Sequence, residues 1–198
     1  MASHLGIDPV QLFIRFLLGL ILLSTSLSKL FRLSRFRRTI LEYQILPLSF
    51  ASHKIFLMVV SLVIPIAELL VAFGLVSGLF LRYSIGIACG LLLLFSLAIA
   101  VNLIRGRSDL SCHCDGVFSS HRISWWLVGR NCLMIAALLF LYFTPAPPFT
   151  LDALFDSPSS YSPVFLNTVL PIALLAFGAV ILLYLANYIS RLAHLLSS

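Results

Sequence analysis

The chain has 198 residues, 61% of them hydrophobic and 10% charged, with a net charge of +6 and a mean hydropathy of +1.08. Too few polar side chains remain to clothe a water-soluble globule, so the fold class read from composition is an all-α integral membrane protein. The positive balance calls for no nucleic acid, because the basic residues cluster where anionic lipid headgroups lie.

Five apolar stretches approach the ~20 residues that a hydrocarbon layer demands. The first, residues 10–31, carries Arg15 and Lys29. It is read as a retained span, since no basic stretch precedes it and no small-residue cleavage site follows. A basic loop, 32–54, leads to the second span, 55–78, which holds Pro65 and Glu68. A tight turn at 79–82 precedes the third span, 83–104, with Cys89 and Asn102. The polar island 105–122 contains Cys112, His113, Cys114, Asp115 and His121. The fourth span, 123–143, opens on Trp125 and Trp126 and continues through Arg130, Asn131 and Cys132. A Pro- and Ser-rich loop, 144–163, separates it from a fifth span at 164–189. The spacing Gly74-x-x-x-Gly78 lets helices approach closely, within one chain or between copies in an oligomer.

Five spans place Arg32, Arg35, Arg37, Arg38, Lys54, Arg105, Arg107, Arg122 and Arg191 on one side and Arg82 on the other. The positive-inside rule then predicts a multi-pass protein of the cell membrane with its N-terminus outside and its C-terminus cytoplasmic. Cys112 and Cys114 fall on the cytoplasmic face, where lasting disulfides are unusual and transient ones serve catalysis or sensing.

Two thiols one residue apart close a small, strained and therefore oxidising disulfide ring. Arg105, Arg107, His113 and Arg122 favour a thiolate there, against Asp109 and Asp115. Three readings fit the island: a redox pair, a soft-metal site of Cys112 and Cys114 with His113 or His121, or two surface thiols without a role. Cys89 and Cys132 read as small buried apolar fillers.

Within the spans, a charge in hydrocarbon demands a partner. Glu68, one turn after Pro65, is expected to pair with Arg15 or Arg130, either as a structural tie or as a proton or quinone site. Lys29 and Arg15 can alternatively snorkel to their interfaces. Arg130 and Asn131 are adjacent on a helix and so are predicted to face different neighbours. Asn102 is expected to hydrogen-bond across helices, and the two tryptophans to anchor at the headgroup level. No nucleotide loop, Ser-His-Asp arrangement or zinc-protease motif is present.

Arg15, Ser28-Lys29-Leu30, Tyr43-x-x-Leu46-Pro47, Pro65-x-x-Glu68-Leu69, Asn102-Leu103-x-Arg105-Gly106-Arg107, Cys112-x-Cys114-x-Gly116 and Trp125-x-x-x-x-Arg130-Asn131 together resemble the methylamine utilisation protein MauE family, relatives of the DoxX-like membrane proteins. The resemblance covers about residues 10–143. It implies a four-helix membrane domain over 1–143, the loop 144–163, and an additional helix and tail over 164–198. It also implies a part in methylamine metabolism, in the processing, transport or maturation of the disulfide-containing small subunit of methylamine dehydrogenase with a thioredoxin-like partner. Cys112 and Cys114 then become the exchanging pair, with Arg130 and Asn131 as polar support. Glu68 with Arg15 or Arg130 is a candidate site for a quinone that resets the pair, which would make the chain a thiol-disulfide oxidoreductase. His113 and Asp115 replace the Gly and Phe usual in the family pattern, which makes the island more polar. Two other functions fit the same residues: a non-enzymatic anchor or assembly subunit recruiting through the basic first loop, and a metal or small-solute carrier.

Overall fold

A computed structural model describes residues 7–43, 54–106, 123–144 and 169–196. Its elements are α1 (Ile7–Phe31), α2 (Leu33–Glu42), α3 (Lys54–Ser77), α4 (Leu81–Ile104), α5 (Trp125–Phe143) and α6 (Leu170–Leu196). All regular structure among the described residues is helical. Four helices are long and apolar enough to cross a membrane, at Pro9–Phe31, Ile55–Ser77, Leu81–Ile104 and Trp125–Phe143; α6 contributes the apolar stretch Leu170–Ala186. The chain is therefore an all-α, multi-pass membrane bundle, with α1, α3, α4 and α5 matching the first four predicted spans to within two residues at either end except where α1 begins three residues early. The cysteine island and the Pro- and Ser-rich loop lie outside the described residues.

In hydrocarbon each helix must satisfy its own backbone, and the polar side chains of α1 take part without leaving their helix. Ser24, Thr25 and Ser26 donate to the carbonyls of Ile21, Leu22 and Leu23 at 2.8, 2.9 and 2.9 Å. Packing supplies the rest. α1 is the hub: it lies most extensively along α3, next along α6, and touches α5 and α2, while α4 runs along α5 and α3. Leu18, Leu22, Leu75, Ile85, Leu92 and Leu138 form the main buried core between these helices. Leu70, Phe73, Leu93, Leu97 and Leu133 are exposed on the outside, the arrangement a lipid-facing surface requires.

Two glycines permit the closest approaches. A methyl group on Gly19 of α1 would stand 2.7 Å from Val76 Cγ2 of α3. One on Gly74 would stand 2.1 Å from Ser84 Oγ of α4, so the close approach expected of the Gly74 motif occurs within one chain, between α3 and α4. The turn joining those helices is sharp because Gly78 takes φ 75° and Phe80 φ 48°, conformations that side-chain-bearing residues seldom adopt.

The basic first loop differs from expectation. Residues 33–42 form a helix in which Phe36 and Thr39 are buried, as is Tyr43 just beyond it, whereas Arg35, Arg37, Arg38 and Glu42 are exposed. Apolar and aromatic side chains at positions 36, 40 and 43 recur at helical spacing, and that stripe seats α2 on α3 and α1. The arginines outnumber it in the sequence and mask it.

Candidate functional site

Glu68 belongs to a helix that continues unbroken through Pro65, whose ring removes one backbone donor a turn earlier. Its carboxylate meets Lys29 of α1, with Nζ donating to Oε1 at 2.5 Å and both side chains only 3% exposed. This pairing corrects two expectations at once. Lys29 does not snorkel, and Glu68 takes neither Arg15 nor Arg130 as its salt-bridge partner. Arg15 is fourteen residues from Lys29 along α1, or ~21 Å at 1.5 Å per residue, which places it too far away to compete.

Two aromatic rings close over the lysine. Nζ stands 4.2 Å from the centroid of Phe95 on α4 and 5.6 Å from that of Phe36 on α2, positions in which the ring faces stabilise a cation. Carboxylate and rings together compensate the ammonium for lost hydration. Glu68 Oε2, also buried, receives no hydrogen bond among the described residues.

Beside the pair lies a cavity of about 40 Å³, walled by Thr25, Lys29, Glu68, Phe95, Arg130 and Asn131 among others. Asn131 is buried and accepts a hydrogen bond from Arg130 Nη2 at 3.2 Å. The expectation that Arg130 and Asn131 face different neighbours is thus corrected: the long arginine stem bends back and brings its guanidinium to the same cavity as its sequence neighbour. Two cations and one carboxylate surround a space of water size, since a single water needs ~10–15 Å³ and a benzene ring ~150 Å³. A quinone ring does not fit there.

The other predicted residues are placed as follows. Arg15 is buried at the opposite half of α1, its guanidinium 5.3 Å from the Phe16 ring, with Nε and Nη1 finding no acceptor among the described residues. Asn102 is fully buried, but its amide donates to Ala98 O of its own helix at 3.0 Å rather than across helices. Cys89 is half-buried against the main core. Cys132 is exposed on the outer face of α5, not buried as expected; position 132 is turned ~100° from the inward Asn131. Trp125 and Trp126 are exposed at the start of α5. Cys112, His113, Cys114 and His121, with every predicted metal ligand among them, lie outside the described residues.

Both ends of the cysteine island are placed nonetheless. α4 terminates at Ile104 with Arg105 and Gly106 following, and α5 begins at Trp125. Arg130 comes five residues later, ~8 Å along the helix. The cluster of buried Lys29, Glu68 and Asn131 with half-buried Arg130 therefore occupies the half of the bundle from which the island springs, on which α2 also packs.

Comparison with known proteins identifies the family. The family described as "Methylamine utilisation protein MauE" matches residues 7–143, the four long helices together with α2 and the island. The chain belongs to the MauE family. It is 36% identical over 126 residues to the methylamine utilization protein MauE of Paracoccus versutus, covering 64% of each chain. It is 32% identical over 134 residues to that of Paracoccus denitrificans, covering 67% of this chain and 69% of the relative. The match thus spans about two thirds of these relatives' length, and in this chain α6 follows the region the family describes. No solved structure matches.

The MauE region contains every member of the buried cluster. Lys29, Thr25, Phe36 and Phe95 were not foreseen as parts of one site. A sequence signal existed for one of them: Lys29 sits two residues inside the end of an apolar run, so a neutralising acid had to be sought on a facing helix, and Glu68 is the one acidic residue within the four apolar spans.

Proposed function

We propose that this MauE-family protein acts in methylamine utilisation as a membrane thiol-disulfide relay. The Cys112–Cys114 disulfide accepts two electrons and two protons from a client dithiol, which leaves as a disulfide, so that Cys112 and Cys114 become a dithiol. The resulting dithiol then attacks the disulfide of a thioredoxin-like partner. One thiolate forms the mixed disulfide, the second resolves it, and the partner departs carrying the two electrons as a dithiol. The net exchange is client dithiol plus partner disulfide giving client disulfide plus partner dithiol. No quinone is required for this cycle to close.

The observation that carries the reading is the position of the buried polar cluster beneath the ends of the cysteine island. A charged group inside a bilayer is costly and is kept where it has work to do. Arg130 inside α5 and the exposed Arg105 at the end of α4 give the base of the island a positive character, which favours a thiolate over a thiol. By the distribution of basic residues, the island faces the cytoplasm and the N-terminus lies outside.

The test is a trapping experiment. In a strain producing the Cys114→Ser or Cys112→Ser variant, one of the two is expected to accumulate as a covalent adduct with a thioredoxin-fold protein, visible as a reducible band and identified by mass spectrometry. Absence of any adduct in both variants contradicts the relay.

A further inference from the structure

A groove of about 390 Å³ lies between α2, α3 and α4. Its walls are Phe36 and Ile40 of α2, Val60 and Ile64 of α3, and Leu94 and Leu97 of α4, with few polar atoms among all its lining residues. Leu94 and Leu97 are on the exposed surface of a membrane span, so the open side of the groove faces acyl chains. The volume is more than twice the ~150 Å³ that admits a benzene ring, which is room for a stretch of hydrocarbon chain.

The wall made by α2 is charged on its other faces. With Phe36 facing inward, Arg35 and Arg37 project ~100° to either side and Arg38 points away, and all three are exposed. The one acid on this helix is Glu42, exposed in its last turn. A helix with an apolar inner stripe and flanking arginines lies in the plane of a bilayer interface, where each basic residue attracts anionic headgroups.

We propose that this groove is a binding site for one anionic phospholipid, with an acyl chain between α2, α3 and α4 and the phosphate held at the flank of α2 by Arg35 or Arg37, Arg38 adding to the positive field. The chain lies against Phe36 and Phe95, the rings that cover Lys29 Nζ, and thereby closes the outer side of the Lys29–Glu68 pair. Charge complementarity selects phospholipid over a neutral isoprenoid: the walls offer hydrocarbon contact to either, but the arginines reward only an anion. This site is independent of the thiol chemistry and stands or falls without it.

The experiment titrates the purified full-length protein, delipidated in detergent, with phosphatidylglycerol and with phosphatidylcholine of identical chains, and counts retained lipids by native mass spectrometry. One phosphatidylglycerol is expected to be retained at least ten-fold more tightly than phosphatidylcholine. The triple variant R35Q/R37Q/R38Q is expected to lose that preference, and Leu94→Trp, which fills the groove from its lipid-facing side, to weaken retention of both lipids at least five-fold. Equal retention of the two lipids by the unaltered protein overturns the proposal. So does unaltered retention by the triple variant or by Leu94→Trp, and so does displacement of the phospholipid by an equimolar neutral isoprenoid quinone.

Discussion

Replacing Glu68 with leucine will destabilise the bundle by about 3–5 kcal/mol, the usual cost of removing one partner of a buried ion pair. The loss comes from what is left behind. Lys29 remains enclosed by α1, α3, Phe36 and Phe95, with its ammonium deprived of the carboxylate that stands 2.5 Å away. Lys29→Met will leave the opposite orphan, a carboxylate whose second oxygen already lacks a protein donor. The double variant, Lys29→Met with Glu68→Leu, removes both charges and will be more stable than either single variant, since apolar replacement of a whole buried pair is often close to neutral. Thermal unfolding of the four proteins in one detergent or nanodisc preparation gives the comparison. Strictly additive losses would show that the two side chains do not depend on one another.

Gly74→Val will abolish accumulation of folded protein. Even a methyl group at this position falls 2.1 Å from Ser84 Oγ, 3.1 Å from Ser84 Cβ and 3.3 Å from Leu79 O, distances at which the helices must separate. Ser84 is itself buried in the first turn of α4, so it has no open space to move into. The gentler Gly74→Ala will cost about 1–3 kcal/mol through overpacking, and Ser84→Gly in the same chain will recover some of that by removing both side-chain contacts. Membrane-fraction abundance reads the first effect and thermal unfolding the second. A fully abundant Gly74→Val protein would mean that α3 and α4 are not apposed at this level.

The spans were readable because each is a predominantly apolar run of the right length with at most two charged residues inside it. Glu68 and Arg130 were readable as site residues for a related reason: an ionisable group stands out against hydrocarbon. Their partners were harder, because partnership depends on how far one helix slides past another. Glu68 lies fourteen residues into α3 while Lys29 lies two residues from the end of α1. Assuming level helix ends therefore keeps them apart. The structure brings them together because α3 begins well beyond the end of α1, leaving the first turns of α3 alongside α2 rather than α1. That offset is created by α2, and α2 was hidden by its own arginines, which make residues 32–38 look like a solvated loop. Cys132 was misjudged for a different reason: apolar surroundings in sequence do not distinguish a helix face turned to the core from one turned to lipid. The cysteine island could be found from the sequence because a run of charged, polar and sulfur-bearing residues interrupts two apolar runs there, and its chemistry rests on residue type and family membership.

The proposed relay draws on the positive character that Arg105 and Arg130 give to the ends of α4 and α5 from which the cysteine island springs. Whether Cys112 and Cys114 do exchange electrons can be read in the unaltered protein. Cells are quenched in acid, free thiols are alkylated with one reagent, disulfides are then reduced and labelled with a second, and the peptide spanning both residues is weighed. The relay predicts a mixed population, in which some molecules bear the first label on both cysteines and the others bear the second label on both, and the balance shifts toward the oxidised form when the client is absent. A peptide that always carries only the first label, whatever the state of client and partner, contradicts it.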